Sequence, residues 1–362
     1  MAVRQNRKGA ADLRRLSAFG PEVLRMSRSI RSALFCAVLA ACGLDASAQN
    51  AVLYGLIDAS ASRVRPLGGS SRWQLDAGNL SRSYLGFRGS EDLGGGLRAV
   101  FKLESYLGND SGAVGRLSGD PFFSREASVG LSGAFGTSVL GRTPSPLYLA
   151  TVMFNPFGDA PGFSPSVRQY FGGTVLGDTR WSNAMWYTNN VRDAPLRVNF
   201  AANAPEEGPG SLSTGRNFGL SVAYLTGPFA ASFAIERIKN SLLPLPAGFV
   251  RQIAMQAGVS YDFSLLRVYG QAGRVKTDAT SDERTTLYQI GAALPLGQSL
   301  VMVAYGHSRL KTPLSATTQR TYSLGYDYFL SKNTDIYVAA MVEKLSFVSS
   351  GHAFAGGVRL RF

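Results

Sequence analysis

The 362-residue sequence is poor in the groups that most often carry chemistry, with two cysteines and two histidines in all. Cys36 and Cys42 both fall within the first fifty residues, in a stretch that reads as an export leader. The remainder therefore has no cysteine and can be neither a disulfide scaffold nor a cysteine-ligated metal protein. His307 and His352 have no Ser or Asp near them in a triad pattern, and no metal-ligand spacing occurs. Gly94-Gly95-Gly96 reads as a hairpin turn with no helix after it, so it is not a phosphate loop. There is also no Lys/Arg-rich block of the kind that marks a nucleic-acid patch.

Long apolar runs are missing too. The run from Ala33 to Leu44 has twelve residues, against the roughly 20 that a membrane-spanning helix needs. It follows Arg28 and Arg31 and precedes Ala46-Ser47-Ala48, which is the order of a secretory signal. The expectation is a start at Met26, cleavage after Ala48 and a mature chain from Gln49. Residues 1–48 are then an N-terminal extension plus signal peptide, and residues 49–362 a single domain. Leu39-Ala40-Ala41-Cys42 matches a lipoprotein box, but the site at Ala48 is better placed. Taking the leader's eight basic and three acidic residues from totals of 37 and 24 leaves 29 against 21. That excess is dispersed, and it suits anion transport or contact with anionic lipid headgroups.

What is present is a rhythm. Hydrophobic residues make up 45% of the chain, with 41 Gly, 21 Phe and 15 Tyr, yet nearly every periodic stretch has period two, the signature of strands. Leu196, Val198 and Phe200 alternate with Arg197, Asn199 and Ala201. Phe218, Leu220, Val222 and Tyr224 alternate with Gly219, Ser221 and Ala223, and Met255, Ala257, Val259 and Tyr261 with Gln256, Gly258 and Ser260. Connections alternate as well. Tight turns, such as 91–96, 226–228 and 295–298, alternate with long polar loops, among them 63–79, 108–122, 143–181 and 346–351. Seven turns and eight loops give sixteen strands.

An even number of strands of about 10 residues, with short connections at one end and long ones at the other, predicts an all-β, antiparallel, up-and-down transmembrane barrel. Closure follows because lipid cannot satisfy an open sheet edge. Charge then sets the faces, since an outward Arg or Lys near mid-membrane costs about 2–4 kcal/mol. In the last strand Phe354, Val358, Leu360 and Phe362 should point outward, with Arg359 and Arg361 inward. Tyr54, Tyr84, Tyr261 and Tyr328 stand where interfacial girdles are expected, although parity turns Tyr84 toward the lumen.

The segments Leu53-Tyr54-Gly55-Leu56-Ile57-Asp58, Leu85-Gly86-Phe87-Arg88-Gly89-Ser90-Glu91-Asp92-Leu93-Gly94-Gly95-Gly96-Leu97, Leu140-Gly141-Arg142 and Leu330-Ser331-Lys332-Asn333-Thr334, with the terminal Phe362, carry a resemblance. From Gln49 onward the chain resembles the Gram-negative general porins, in particular their β-proteobacterial branch. The resemblance implies an outer-membrane homotrimer, in contact with outer-membrane lipid and lipopolysaccharide, that passes small hydrophilic solutes and anions and needs no cofactor. It implies that the third loop, Thr143 to Trp181 with Asn155, Pro156, Phe157 and Gly158, folds into the barrel. It also implies that Phe362 is the signal read by the barrel assembly machinery. Two departures touch the pore. Tyr84 stands where the family usually has an arginine, for which Arg82 can substitute, and Leu360 stands where it tends to have a histidine.

In a diffusion pore, chemistry means field and width. The expected basic wall is Arg82, Arg88, Lys102, Arg125, Arg180, Arg197 and Arg267, with Arg125 in parity conflict with Glu126. The expected acids are Glu104, Asp159 and Asp178. The predicted outcome is weak to moderate anion selectivity. A solute-specific channel, a barrel enzyme and a plugged adhesive barrel are the competing readings.

Overall fold

The computed structural model describes residues 51–362, apart from 118, 190–193, 206–214 and 242–243. The expected leader, its cleavage site and the start at Met26 lie outside the described residues. Eighteen paired segments make sixteen wall strands. Arg72–Ala77 and Tyr84–Gly94 are two halves of one interrupted strand, and Ala113–Val114 is a two-residue pairing within a loop. The strands are β1 (Val52–Arg65), β2 (those two halves), β3 (Leu97–Gly108), β4 (Glu126–Gly133), β5 (Gly136–Pro144), β6 (Arg180–Thr188), β7 (Leu196–Asn203) and β8 (Phe218–Thr226). They continue as β9 (Phe229–Ile238), β10 (Arg251–Asp262), β11 (Arg267–Asp278), β12 (Glu283–Leu296), β13 (Ser299–Lys311), β14 (Ala316–Phe329), β15 (Thr334–Leu345) and β16 (Val348–Arg361).

Each strand pairs antiparallel with its neighbours in sequence, and β1 pairs with β16 to close the ring. At the seam the Gly55 N–H donates to the Phe362 carbonyl at 3.0 Å and the Phe362 N–H to the Gly55 carbonyl at 3.2 Å. The last residue thus completes the ladder that lipid could not satisfy.

Burial is inverted relative to a water-soluble sheet. On β12, Tyr288 and Ile290 are exposed on the outside while Leu287, Gln289 and Ala293 are buried inside. On β8, Leu220 is exposed and Ser221 buried. Outward apolar side chains suit hydrocarbon and inward polar ones suit a wet lumen, so the alternation is a two-solvent code. Registry places Arg359 opposite Asp58 and Asp335, and Arg361 opposite Leu56, all on the inner face, as parity predicts. Tyr261 and Tyr328 face outward near strand ends, but Tyr54 does not. Its hydroxyl donates to Glu104 inside the lumen, because Tyr54 shares the parity of Asp58.

Two loops are shorter than the polar composition suggests. Pairing of Arg72–Ala77 with Ala59–Val64 extends the first hairpin past the expected loop at Arg63. Leu345 pairs with Val348, so the last hairpin turns within two residues. Polar residues continue the ladder there because extended backbone pairs just as well above the membrane as within it.

Candidate functional site: a looped constriction with an arginine wall

The connection between β5 and β6 carries two short helices, α1 (Pro146–Met153) and α2 (Pro165–Phe171). Each starts with Ser-Pro. The side chains of Ser145 and Ser164 accept from the Tyr148 and Val167 N–H groups, and the proline occupies the first turn, where no amide donor is needed. Between them Asn155 closes a tight turn, accepting from the Phe157 N–H at 2.8 Å and donating to the Gly158 carbonyl at 2.7 Å.

Inward polar residues of the far wall hold this segment against the inner face. The Leu147 N–H donates to Glu236 Oε1 at 2.8 Å, and Gln271 Nε2 donates to the Thr151 and Phe154 carbonyls at 2.9 and 2.7 Å. The Ser166 N–H donates to Gln289 Oε1 and the Leu176 N–H to Gln252 Oε1, while Arg168 forms a forked pair with Glu343. Where the loop presses hardest, the wall is glycine. A Cβ on Gly258 would stand 2.7 Å from the Phe154 ring, and one on Gly291 2.8 Å from Pro156. Phe157, Ala160 and Phe163 complete an apolar cluster with Leu80, Met302, Tyr337 and Met341. These contacts set the segment against side chains of β9 to β13 and β15.

The break in β2 serves the same assembly. Asp58 Oδ2 accepts from the Leu80 and Ser81 N–H groups at 2.9 and 2.7 Å, and the Tyr337 hydroxyl donates to Asp58 Oδ1 at 2.7 Å. Asn79, within the break, accepts the Gly162 N–H of the loop. Leu80 is thereby turned inward onto the loop and Arg82 into the space beside it.

Facing the loop is the wall formed by β2 to β6. Arg125, in the bend before β4, ion-pairs with Glu104, and its guanidinium lies over the Tyr84 ring, 3.9 Å from the centroid. The parity conflict disappears because Arg125 precedes the regular strand, so both it and Glu126 reach the lumen. Arg180 is buried, donates to the Arg125 and Thr179 carbonyls, and lies over the Tyr148 ring at 4.6 Å. Arg88 lies over Tyr54 at 4.8 Å, and Lys102 pairs with Glu126 at 3.2 Å. Asp178 is held by a forked bond from Arg116 at 2.7 and 2.8 Å. Burial alone would raise the Asp178 carboxyl, but the hydrogen bonds and charge of Arg116 keep it below the ordinary range.

Two cavities open among these residues. One, of about 460 Å³, is lined by Arg82, Arg116, Asp159, Arg168, Asp178 and Glu343; the other, of about 390 Å³, by Lys102, Arg125, Glu126 and Arg180. Arg197 and Arg267 are inward by register but lie near the short-turn end. Arg197 stands opposite Ala223, and Arg267 is paired with Asp262 at 2.7 Å. Sequence reasoning missed Arg116 and Arg142. Arg142 is drawn inward by a register shift in β5 and donates to the Ser124 carbonyl, a position that no alternation rule gives.

A family model described as Gram-negative porin matches residues 33–346. The chain belongs to the Gram-negative porin family. It is 32% identical over 344 residues to outer membrane porin protein 32 of Delftia acidovorans, covering 91% of this chain and 95% of that one. It is 25% identical to an outer membrane porin protein of Bordetella pertussis, over 80% and 84% of the two chains. Among solved structures, an anion-selective porin from Comamonas acidovorans superposes with a TM-score of 0.74 at 26% identity, covering 87% of this chain and all of that one. This porin is thus an outer-membrane protein whose water-filled barrel passes small solutes by passive diffusion. Family and fold point to a channel rather than to an enzyme.

Proposed function

We propose that the porin is a weakly to moderately anion-selective diffusion channel, narrowed where Asn155-Pro156-Phe157-Gly158 and Asp159 of the third loop face Arg82, Arg88, Arg125 and Arg180. The observation that carries this reading is the pairing pattern. Glu104, Glu126, Asp178 and Glu343 are each engaged by a basic partner. Arg82 and Arg88, by contrast, make no ion pair among the described residues, and Arg180 bonds to carbonyl oxygens, which leave its charge uncancelled. Asp159 makes no ion pair among the described residues, but Arg82, Arg88 and Arg180 outnumber it, so a net positive field survives beside the loop and a low-dielectric wall focuses it. Arg197, which makes no ion pair among the described residues, extends it toward the periplasmic mouth, whereas Lys102 and Arg267 are paired with Glu126 and Asp262. The anion-selective description of the Comamonas acidovorans porin supports the same sign.

The working unit in this reading is a homotrimer delivered by the barrel assembly machinery, with Phe362 as the recognised end. Small outward residues at the seam, Ala59 opposite Val358 and Ala61 opposite Gly356, suit close contact between copies. The test is the zero-current potential of the purified protein in a planar bilayer under a potassium chloride gradient. The sign for chloride preference is expected; a strong potassium preference would overturn the arginine-wall assignment while leaving the family untouched.

A further inference from the structure

The larger of the two cavities beside the third loop, about 460 Å³, has the size of a small-ligand pocket, about 300–1,000 Å³. Its charged lining sorts into two classes. Arg116 and Asp178 hold each other by a forked bond at 2.7 and 2.8 Å, and Arg168 and Glu343 by another at 3.0 and 2.9 Å. Arg82, from the break in β2, and Asp159, from the third loop, are left over. Neither makes an ion pair or a side-chain hydrogen bond among the described residues, although they carry opposite charges and border one space. The fold holds them apart across that space.

Two phenols border the same cavity. Tyr106 and Tyr148 are 4% and 7% exposed, and neither hydroxyl has a hydrogen-bond partner among the described residues. A phenol so deeply buried usually finds one. An apolar side is supplied by Phe171, which packs edge-on against Tyr148 with centroids 5.4 Å apart, together with Val167 and Pro161. The cavity therefore offers one free cation, one free anion, two free hydroxyls and an aromatic surface.

We propose that this cavity binds a zwitterionic α-amino acid with an aromatic side chain, its carboxylate on Arg82 and the Tyr106 and Tyr148 hydroxyls, its ammonium on Asp159 and its ring against Phe171. A simple anion would satisfy Arg82 and meet Asp159, a simple cation would do the reverse, and a neutral sugar would leave both charges unanswered. A solute that carries both charges on one carbon gains two charge-assisted hydrogen bonds, and its ring gains an edge-to-face contact. The inference rests on the reading of the third loop and its facing wall as the constriction, to which it adds a solute class, and not on the ion preference of the pore.

The test is single-channel recording of the purified porin in a planar bilayer at neutral pH with phenylalanine added to one side. Saturable interruptions of the current are expected. Their mean duration should exceed by about tenfold or more that seen with phenylpropanoate, which lacks the ammonium, with phenethylamine, which lacks the carboxylate, and with glycine, which lacks the ring. Asp159→Asn should shorten the phenylalanine events and lengthen those of phenylpropanoate, a reversal that a change of pore width would not produce. Arg82→Gln should shorten the phenylalanine events and lengthen those of phenethylamine, and Phe171→Ala should bring phenylalanine down to the level of glycine. Absence of interruptions by phenylalanine, or equal durations for phenylalanine and phenylpropanoate, would overturn the proposal. An Asp159→Asn variant that held both solutes longer would overturn it as well and leave a plain anion site. Should a variant fail to fold, the comparison of the four solutes on the wild-type porin still decides. A potassium preference in the salt gradient would overturn the anion-selective reading and leave this one standing, because the zwitterion carries no net charge.

Discussion

Arg125 stacks its guanidinium on Tyr84 at 3.9 Å while pairing with Glu104. Tyr84 is therefore the platform for an arginine delivered from the bend before β4.

Arg125→Gln should accordingly shift the zero-current potential toward cations. Tyr84→Ala should do so by less, since it removes a contact worth about 0.5–2 kcal/mol but no charge. If Tyr84→Ala moved the potential as far as Arg125→Gln, the ring would be more than a platform.

Gly258→Val drives a side chain into Phe154, which has no room to yield beneath α1. Overpacking of this kind costs about 1–3 kcal/mol. A lower unfolding midpoint and noisier open-channel current are expected. Gly270→Val, on the lipid face of β11, serves as the control, because a Cβ there meets nothing closer than 3.4 Å. Equal damage at both positions would mean that the glycines matter for backbone freedom and not for the loop.

Gln271→Ala strands the Thr151 and Phe154 carbonyls, at a cost of about 1–3 kcal/mol if no water replaces the amide. Conductance fluctuations should increase with the mean selectivity unchanged, because the anchor is on the wall opposite the arginines. Single-channel recording at constant salt checks both quantities.

The Arg116–Asp178 latch carries a pH signature. Asp178 is held below its ordinary value in the folded state, so the latch contributes fully above the unfolded carboxyl value of about 3.9 and is lost only as pH falls through the lower folded value. Thermal stability attributable to the latch should therefore be flat from about pH 7 to about pH 5 and fall only in stronger acid. Asp178→Asn should lower the midpoint at neutral pH and remove its share of the acid loss. A latch-dependent loss already present at about pH 5 would contradict the assignment.

Ile290→Arg places a charge on the lipid face and should cost about 2–4 kcal/mol, whereas Ser260→Arg, inward on a nearby strand, should fold with little penalty. Refolding yield into lipid vesicles measures the difference.

Alternation in the sequence was enough to assign Leu220, Val259 and Phe354 to lipid and Arg197, Arg359 and Arg361 to the interior, and counting long and short connections was enough for sixteen strands. Those features are local: a strand has two faces, two solvents lie on either side of it, and the penalty for a wrong assignment is large at every position. Tertiary structure alone decided that Glu236, Gln252, Gln271 and Gln289 grip the third loop, that Tyr54 turns inward onto Glu104, and that a register shift at Arg142 and a bend at Arg125 bring both into the pore. A period of two says which side a residue takes, but not its height in the barrel or what reaches it across the lumen. Those depend on how the ring closes and where a loop from one wall meets the other.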